Sequence, residues 1–328
     1  MLSRVADSIY WMSRYIERAE NVARFIDVNL HLMLDLPVGS AQQWQPLVDT
    51  TGDHEEFARR FGAATQSNVI QFLTLDGDNP NSILSCLRAA RENARSVREI
   101  ISSEMWEQLN KFYLMVTAAA ANPDVLASPH EFFSNIRMSS HLFVGVTEGT
   151  MTHGEGWHFG RLGRMLERAD KTSRMLDVKY FILLPTVAHV GTTFDDLQWT
   201  AVLRSASAFE MYRKTHGRIE PRRIVEFLLL DDEFPRAIHH CLIASRESVH
   251  AITGTPTGLF RNPAEQLLAQ LCAELAYGQV DDIVNSGLHE FLDELQSNMN
   301  RVGAQVTETF FAAKMAPPSA TKRKEARA

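Results

Sequence analysis

The chain has 328 residues, 45% of them apolar and 22% charged, with 33 basic against 40 acidic side chains and a net charge of −7. This balance supports a sizeable core, excludes an intrinsically disordered chain, and argues against a general polyanion binder, so no nucleic-acid partner is expected. Cys86, Cys241 and Cys272 form no CxxC spacing, no apolar run nears the roughly 20 residues that span a bilayer, and the N-terminus carries charges where a secretion signal is apolar. A cytoplasmic protein without disulfides or a membrane partner is the expectation.

The chain reads as helical almost throughout. Val5, Ile9, Met12, Ile16, Ala19, Ala23, Ile26, Leu30 and Met33 step alternately by four and three, a heptad seam over four heptads. Pro37 and Gly39 close this first helix. Asn79-Pro80 predicts the start of a helix through Cys86 and Val97, and Ser128-Pro129-His130-Glu131 a second start, with a helix to about Val146. The segment TEGTMTHGEG, with Gly149, Gly154 and Gly156, reads as a connecting loop. A second long helix is predicted over 157–184, ending before Pro185. Further helices are predicted near 195–214, 221–231, 235–253, 263–285 and 288–314, two of them opened by Glu220-Pro221 and Asn262-Pro263. No stretch alternates as a half-buried strand must. The close, KMAPPSATKRKEARA, is a basic, proline-containing stretch that reads as a disordered tail over 315–328.

The chain is internally duplicated. Residues 69–97 meet 224–252 at a constant offset of 155 with eleven identities in 29 ungapped positions, among them Phe72/Phe227, Asp76/Asp231, Pro80/Pro235, Cys86/Cys241 and Glu92/Glu247. At an offset of 150 the first helix meets the second long one, through Arg14/Arg164, Glu17/Glu167, Arg18/Arg168, Arg24/Arg174 and Asp27/Asp177. An all-α fold of two duplicated helical bundles, 1–150 and 151–314, packed about a pseudo-twofold axis, is therefore expected.

The paired charges are the best lead to function. Arg14, Glu17, Asn21 and Arg24 form one stripe beside the seam, and Arg164, Glu167, Lys171 and Arg174 rebuild it. Arg18 lies instead on a line with Trp11, Tyr15, Val22 and Phe25, so its fixed charge needs a carboxylate or several carbonyls. Crosswise pairing, Arg18 with Glu167 and Arg168 with Glu17, is the expected solution. Three readings stay open: surface ion pairs, a buried network that registers the two halves, or an arginine-lined pocket for a carboxylate or phosphate. On the last, Arg14, Glu17, Arg18, Arg24, Arg164, Glu167, Arg168 and Arg174 are the candidate binding residues.

YIERAEN at 15–21 and MLERADK at 165–171 resemble the two ER motifs of the alpha-E domain family, within matching contexts that extend the similarity from Met1 to about residue 314. The resemblance implies an all-helical tandem duplication in a bacterial family without an established activity. It also implies association with an ATP-grasp ligase, a transglutaminase-like protein or an Ntn-type peptidase of a peptide synthesis or modification system.

Other chemistry is sparse. His239 and His240 point about 100° apart on a helix, and His153, Glu155 and His158 surround the glycine loop without the spacing of a known metal motif. Neither metal nor cofactor is expected. The cysteines read as core residues, and no catalytic residue emerges. A helical partner protein is expected, with an enzyme or small-molecule binder built on the Arg and Glu pairs as the alternative.

Overall fold

The computed structural model describes residues 1–35, 44–122, 129–181 and 193–312. Among them are fourteen α-helices, a closing π-helical turn and no strand: α1 (Ser3–Asp35), α2 (Gln45–Thr51), α3 (His54–Phe61), α4 (Gln66–Thr74), α5 (Ile83–Ser96), α6 (Ser103–Ala121), α7 (Pro129–Thr150), α8 (Glu155–Phe181), α9 (Thr193–Ser205), α10 (Phe209–His216), α11 (Pro221–Leu229), α12 (Ile238–Thr253), α13 (Pro263–Tyr277), α14 (Val280–Val306) and Thr307–Phe311. The fold is all-α. None of these helices is long and apolar enough to cross a membrane.

The two seam-bearing helices lie at the centre. Ile9, Ile16, Ala19, Ala23 and Ile26 of α1 and Phe159, Leu162, Leu166, Ala169 and Leu176 of α8 are buried in one apolar cluster that runs from Ala6 to Val306. Helix α1 packs on α5, α7 and α8, and α8 packs on α12 and α14. Each long helix also touches a short one from the other end of the chain, α1 against α9 and α8 against α2. The long helices run side by side in the same direction, since Tyr10 meets Gly163 and Arg18 meets Glu167. Gly163 sets how closely they approach: a Cβ there would sit 2.4 Å from the Tyr10 carbonyl oxygen.

Several predicted boundaries shift. Asn79 does not cap a helix. Its side-chain amide donates to the Phe72 carbonyl and its oxygen accepts from the Asn81 amide, so it builds a turn, and α5 starts at Ile83 with Ser82 capping the Ser85 amide. Gly149 lies inside α7, which runs to Thr150, so the connecting loop shrinks to 151–154. The predicted helix 195–214 is two helices, divided where Ser207 takes a left-handed φ of 50°. The predicted break between 285 and 288 is present as a kink at Gly287, whose φ of 116° only glycine adopts readily, and a further break falls at Gly278, where α13 ends. The ends predicted at Pro37 and Pro185, the cap at Ser128 and the tail 315–328 lie outside the described residues.

Helices α2, α3, α4 and α6 are additions to the predicted set. Three are under ten residues long, too short for the seven-residue apolar period to accumulate.

Candidate functional site

The candidate residues fall on the shared face of α1 and α8 and form two linked ion clusters. In the first, Glu167 is buried and takes Arg18 on both carboxylate oxygens, Nε to Oε1 at 2.7 Å and the terminal nitrogen to Oε2 at 3.0 Å. Arg14 adds a third bond, Nε to Oε2 at 2.8 Å, while its guanidinium also reaches the Tyr10 hydroxyl and lies over the Trp11 ring. Arg18 continues to Asn81 Oδ1 at 2.7 Å, and Asn81 passes its own amide to Asp53 at 2.8 Å. Lys171 sits 3.2 Å from Asp170, whose two oxygens accept from Arg174 Nε at 3.0 Å each.

The second cluster exchanges the roles of the helices. Arg168 chelates Glu17, Nε to Oε1 at 2.7 Å and the terminal nitrogen to Oε2 at 2.9 Å, and donates onward to the Pro235 carbonyl at 3.2 Å. Arg236 enters from the turn before α12 and bridges Glu17 (3.4 Å), Asn21 Oδ1 (3.2 Å) and Glu20 (3.0 Å). Arg24 pairs with Glu20 one turn away and lies 3.5 Å from His141 Nε2.

The crosswise pairing expected of the ER residues is therefore present, and all eight candidates lie in or beside these clusters. Arg164 departs from its counterpart. Arg14 is held by the opposing glutamate, whereas Arg164 turns to Glu148 on α7 at 3.1 Å and leaves a buried Nε without a hydrogen-bond partner. It borders a narrow cleft of ≈ 20 Å³, room for about one water, walled by Ile9, Met12, Ile16, Phe143 and Met151. Gly160 also lines it, at the position where the first copy has the large Tyr10.

The electrostatics are those of fixed charge. Burial alone would raise the Glu17, Glu20 and Glu167 carboxyls. The facing guanidiniums outweigh it, Arg168 and Arg236 at Glu17, Arg236 and Arg24 at Glu20, Arg18 and Arg14 at Glu167, so all three stay below the ordinary carboxylate range, Glu20 at about 2. Burial, reinforced by neighbouring Arg168, lowers Arg164. A carboxylate locked this way is a poor general base near neutral pH, because little driving force remains for taking up a proton. The thiols offer no nucleophile either: burial pushes Cys86 and Cys241 up to about 12. Each thiol points at the carbonyl of an equivalent proline, Pro80 or Pro235.

Three features of the site do not show in the spacing of the charged residues. One is Arg236. At the offset of 155 its counterpart is Asn81, and at the offset of 150 Asn21 faces Lys171. Each cluster thus gains one extra cation from a different position, Lys171 in one and Arg236 in the other, with an asparagine at the position left neutral. The second is Glu20, which balances Arg236 as Asp170 balances Lys171. The third is a pair of Asp–His contacts: His130 Nδ1 lies 2.9 Å from Asp27, and His289 Nδ1 lies 2.5 Å from Asp177. Their signal is His-Glu-Phe at 130–132 and again at 289–291, at an offset of 159.

The histidines considered for metal do not assemble. His239 and His240 bond separate carbonyls, of Leu230 and Asp232, and His153 bonds the Glu148 carbonyl and stacks on Trp157.

Similar chains carry little functional description. An uncharacterized protein of Mycobacterium bovis and two of Mycobacterium tuberculosis are each 24% identical over 336 residues. The match covers 96% of this chain but 37% of each relative, so the chain spans little more than a third of their length. No solved structure matches. The family model described as a predicted alpha-helical domain with a conserved ER motif matches residues 1–311, which includes both Glu17-Arg18 and Glu167-Arg168, and the chain belongs to this Alpha-E family.

Proposed function

We propose that the protein is a non-catalytic helical partner in a bacterial peptide synthesis or modification system, docking on an ATP-grasp ligase, a transglutaminase-like protein or an Ntn-type peptidase, or presenting a peptide to it. One observation carries the reading: both ER glutamates have their two oxygens chelated by an arginine of the opposite long helix, so the motif is spent on joining α1 to α8. The two segments 1–150 and 151–314 then act as copies of one unit, locked about a pseudo-twofold axis. The relatives support a partnering role, since in them this unit is combined with a larger share of further chain. Affinity capture of the full chain from its source cells, followed by mass spectrometry, tests the proposal. Specific recovery of an ATP-grasp, transglutaminase-like or Ntn-peptidase protein is expected; recovery of none of the three counts against it.

The buried, unpartnered Arg164 Nε beside a small apolar cleft favours a second reading, capture of a carboxylate of the smallest size. Calorimetric titration with formate separates the two. Binding that disappears in Arg164→Met supports this reading, and no heat at millimolar formate removes it.

A further inference from the structure

The Asp–His contact on α1 differs from the one on α8 in a way the lock does not explain. On α8, Asp177 meets one imidazole among the described residues, His289 from α14. On α1, Asp27 meets His130 from the first turn of α7 and also has His31 one helical turn further along. The residue at the position matching His31 in the second copy is Phe181. The shared pair fastens each long helix to its neighbour; the additional imidazole in the first copy has no histidine counterpart in the second.

We propose that Asp27, His31 and His130 bind a divalent transition-metal ion of the zinc class. One potential ligand atom from each residue lies within 4.8 Å of the others, the one such group of three among the described residues. Asp27 Oδ1 is 2.9 Å from His130 Nδ1 and 3.7 Å from His31 Nδ1, and the two rings are 4.1 Å apart between centroids. Ligands at 2.0–2.1 Å from a tetrahedral ion stand about 3.3–3.4 Å apart. The observed separations bracket that value, so small imidazole rotations close the site.

The surroundings suit such an ion. Asp27 is buried, with its other oxygen held by Arg137 at 2.9 Å, an outer contact that orients the carboxylate so that Oδ1 faces the two imidazoles. The histidine side chains are 49% and 42% exposed, which gives the ion an entry path and leaves a fourth position to water or to an incoming group. Two imidazoles and one carboxylate form a borderline set that suits zinc-like ions better than calcium or magnesium, which take oxygen ligands. Binding costs His31 its hydrogen bond to the Asp27 carbonyl, 2.8 Å in the present geometry, and exchanges the 2.9 Å contact between His130 Nδ1 and Asp27 Oδ1 for two bonds to the ion.

The test uses the full chain freed of metal by chelator dialysis and titrated with Zn²⁺ by calorimetry, with Co²⁺ absorption as an independent signal. The proposal expects one ion per chain. It also expects at least a tenfold weaker affinity in His31→Phe, which copies the second-copy residue, with an unchanged circular-dichroism spectrum. His289→Phe is expected to bind as the wild type does. The proposal is overturned if the wild type takes up no stoichiometric ion, if His31→Phe binds equally well, or if His289→Phe loses the ion to the same extent.

Discussion

Glu167→Gln removes one charge and little volume, yet it strikes the point where two guanidiniums depend on one carboxylate. Arg18 loses a chelating pair and Arg14 its one carboxylate contact among the described residues, while the new amide turns two donors toward groups that are themselves donors. What remains is the Tyr10 hydroxyl for Arg14 and Asn81 for Arg18, both uncharged. Breaking a buried ion pair from one side costs about 3–5 kcal/mol, because the stranded charge stays desolvated. Both side chains are only 16% exposed, which places Glu167→Gln in that range.

Duplication alone predicts that Glu17→Gln costs the same. The geometry predicts less. Arg236 keeps Glu20, so Arg168 alone is stranded, which places the loss at the low end of that range, about 3 kcal/mol, against the high end for the two guanidiniums that depend on Glu167. Chemical denaturation followed by circular dichroism and tryptophan fluorescence measures both, provided the two probes coincide and the slopes are unchanged. The reasoning is refuted if Glu167→Gln lies within about 1 kcal/mol of wild type, or if Glu17→Gln is the costlier change.

Two further outcomes follow from the same face. The depressed Glu17, Glu20 and Glu167 contribute stability that is present above the unfolded carboxyl value of about 4.5 and is lost as pH falls through the folded values. For Glu20, at about 2 when folded, that amounts to about 3 kcal/mol shed between about pH 4.5 and 2; unfolding free energies that stay flat from pH 5 to 3 would refute it. Glycine substitutions should have opposite signs at two helical sites. Gly145→Ala meets nothing within 4 Å and should gain up to about 1 kcal/mol, while Gly163→Ala drives a methyl into the Tyr10 carbonyl and should lose about 1–3 kcal/mol despite the better helix propensity. Equal melting shifts in the two variants would contradict the close α1–α8 approach.

Much of this was legible in the residues because the repeat is strong where burial is complete. The seams of α1 and α8 have a single apolar period, and the placement of Arg18 on a greasy line demanded an opposing carboxylate. Helix starts were less legible. Asn79-Pro80 has the local chemistry of a cap, but the amide of Asn79 is more useful closing the turn against Phe72, a contact visible only in three dimensions. The exchange of Lys171 for Arg236 needs two different offsets to be compared across separate elements, since neither position alone looks unusual. Offset also hides the His-Glu-Phe pair: 159 residues apart, it falls out of step with the 150 and 155 that relate the other helices, although Asp27 and Asp177 each find the matching histidine.

The central claim is that each ER motif serves as a lock between the long helices, and a double-mutant cycle on Glu17 and Arg168 tests it most directly. Glu17→Met and Arg168→Met each strand a buried charge, whereas the double variant removes the pair and leaves Arg236 with Glu20. The account predicts a coupling energy of at least about 2 kcal/mol, with the double variant more stable than the sum of the single losses implies. Additivity within about 0.5 kcal/mol would contradict it.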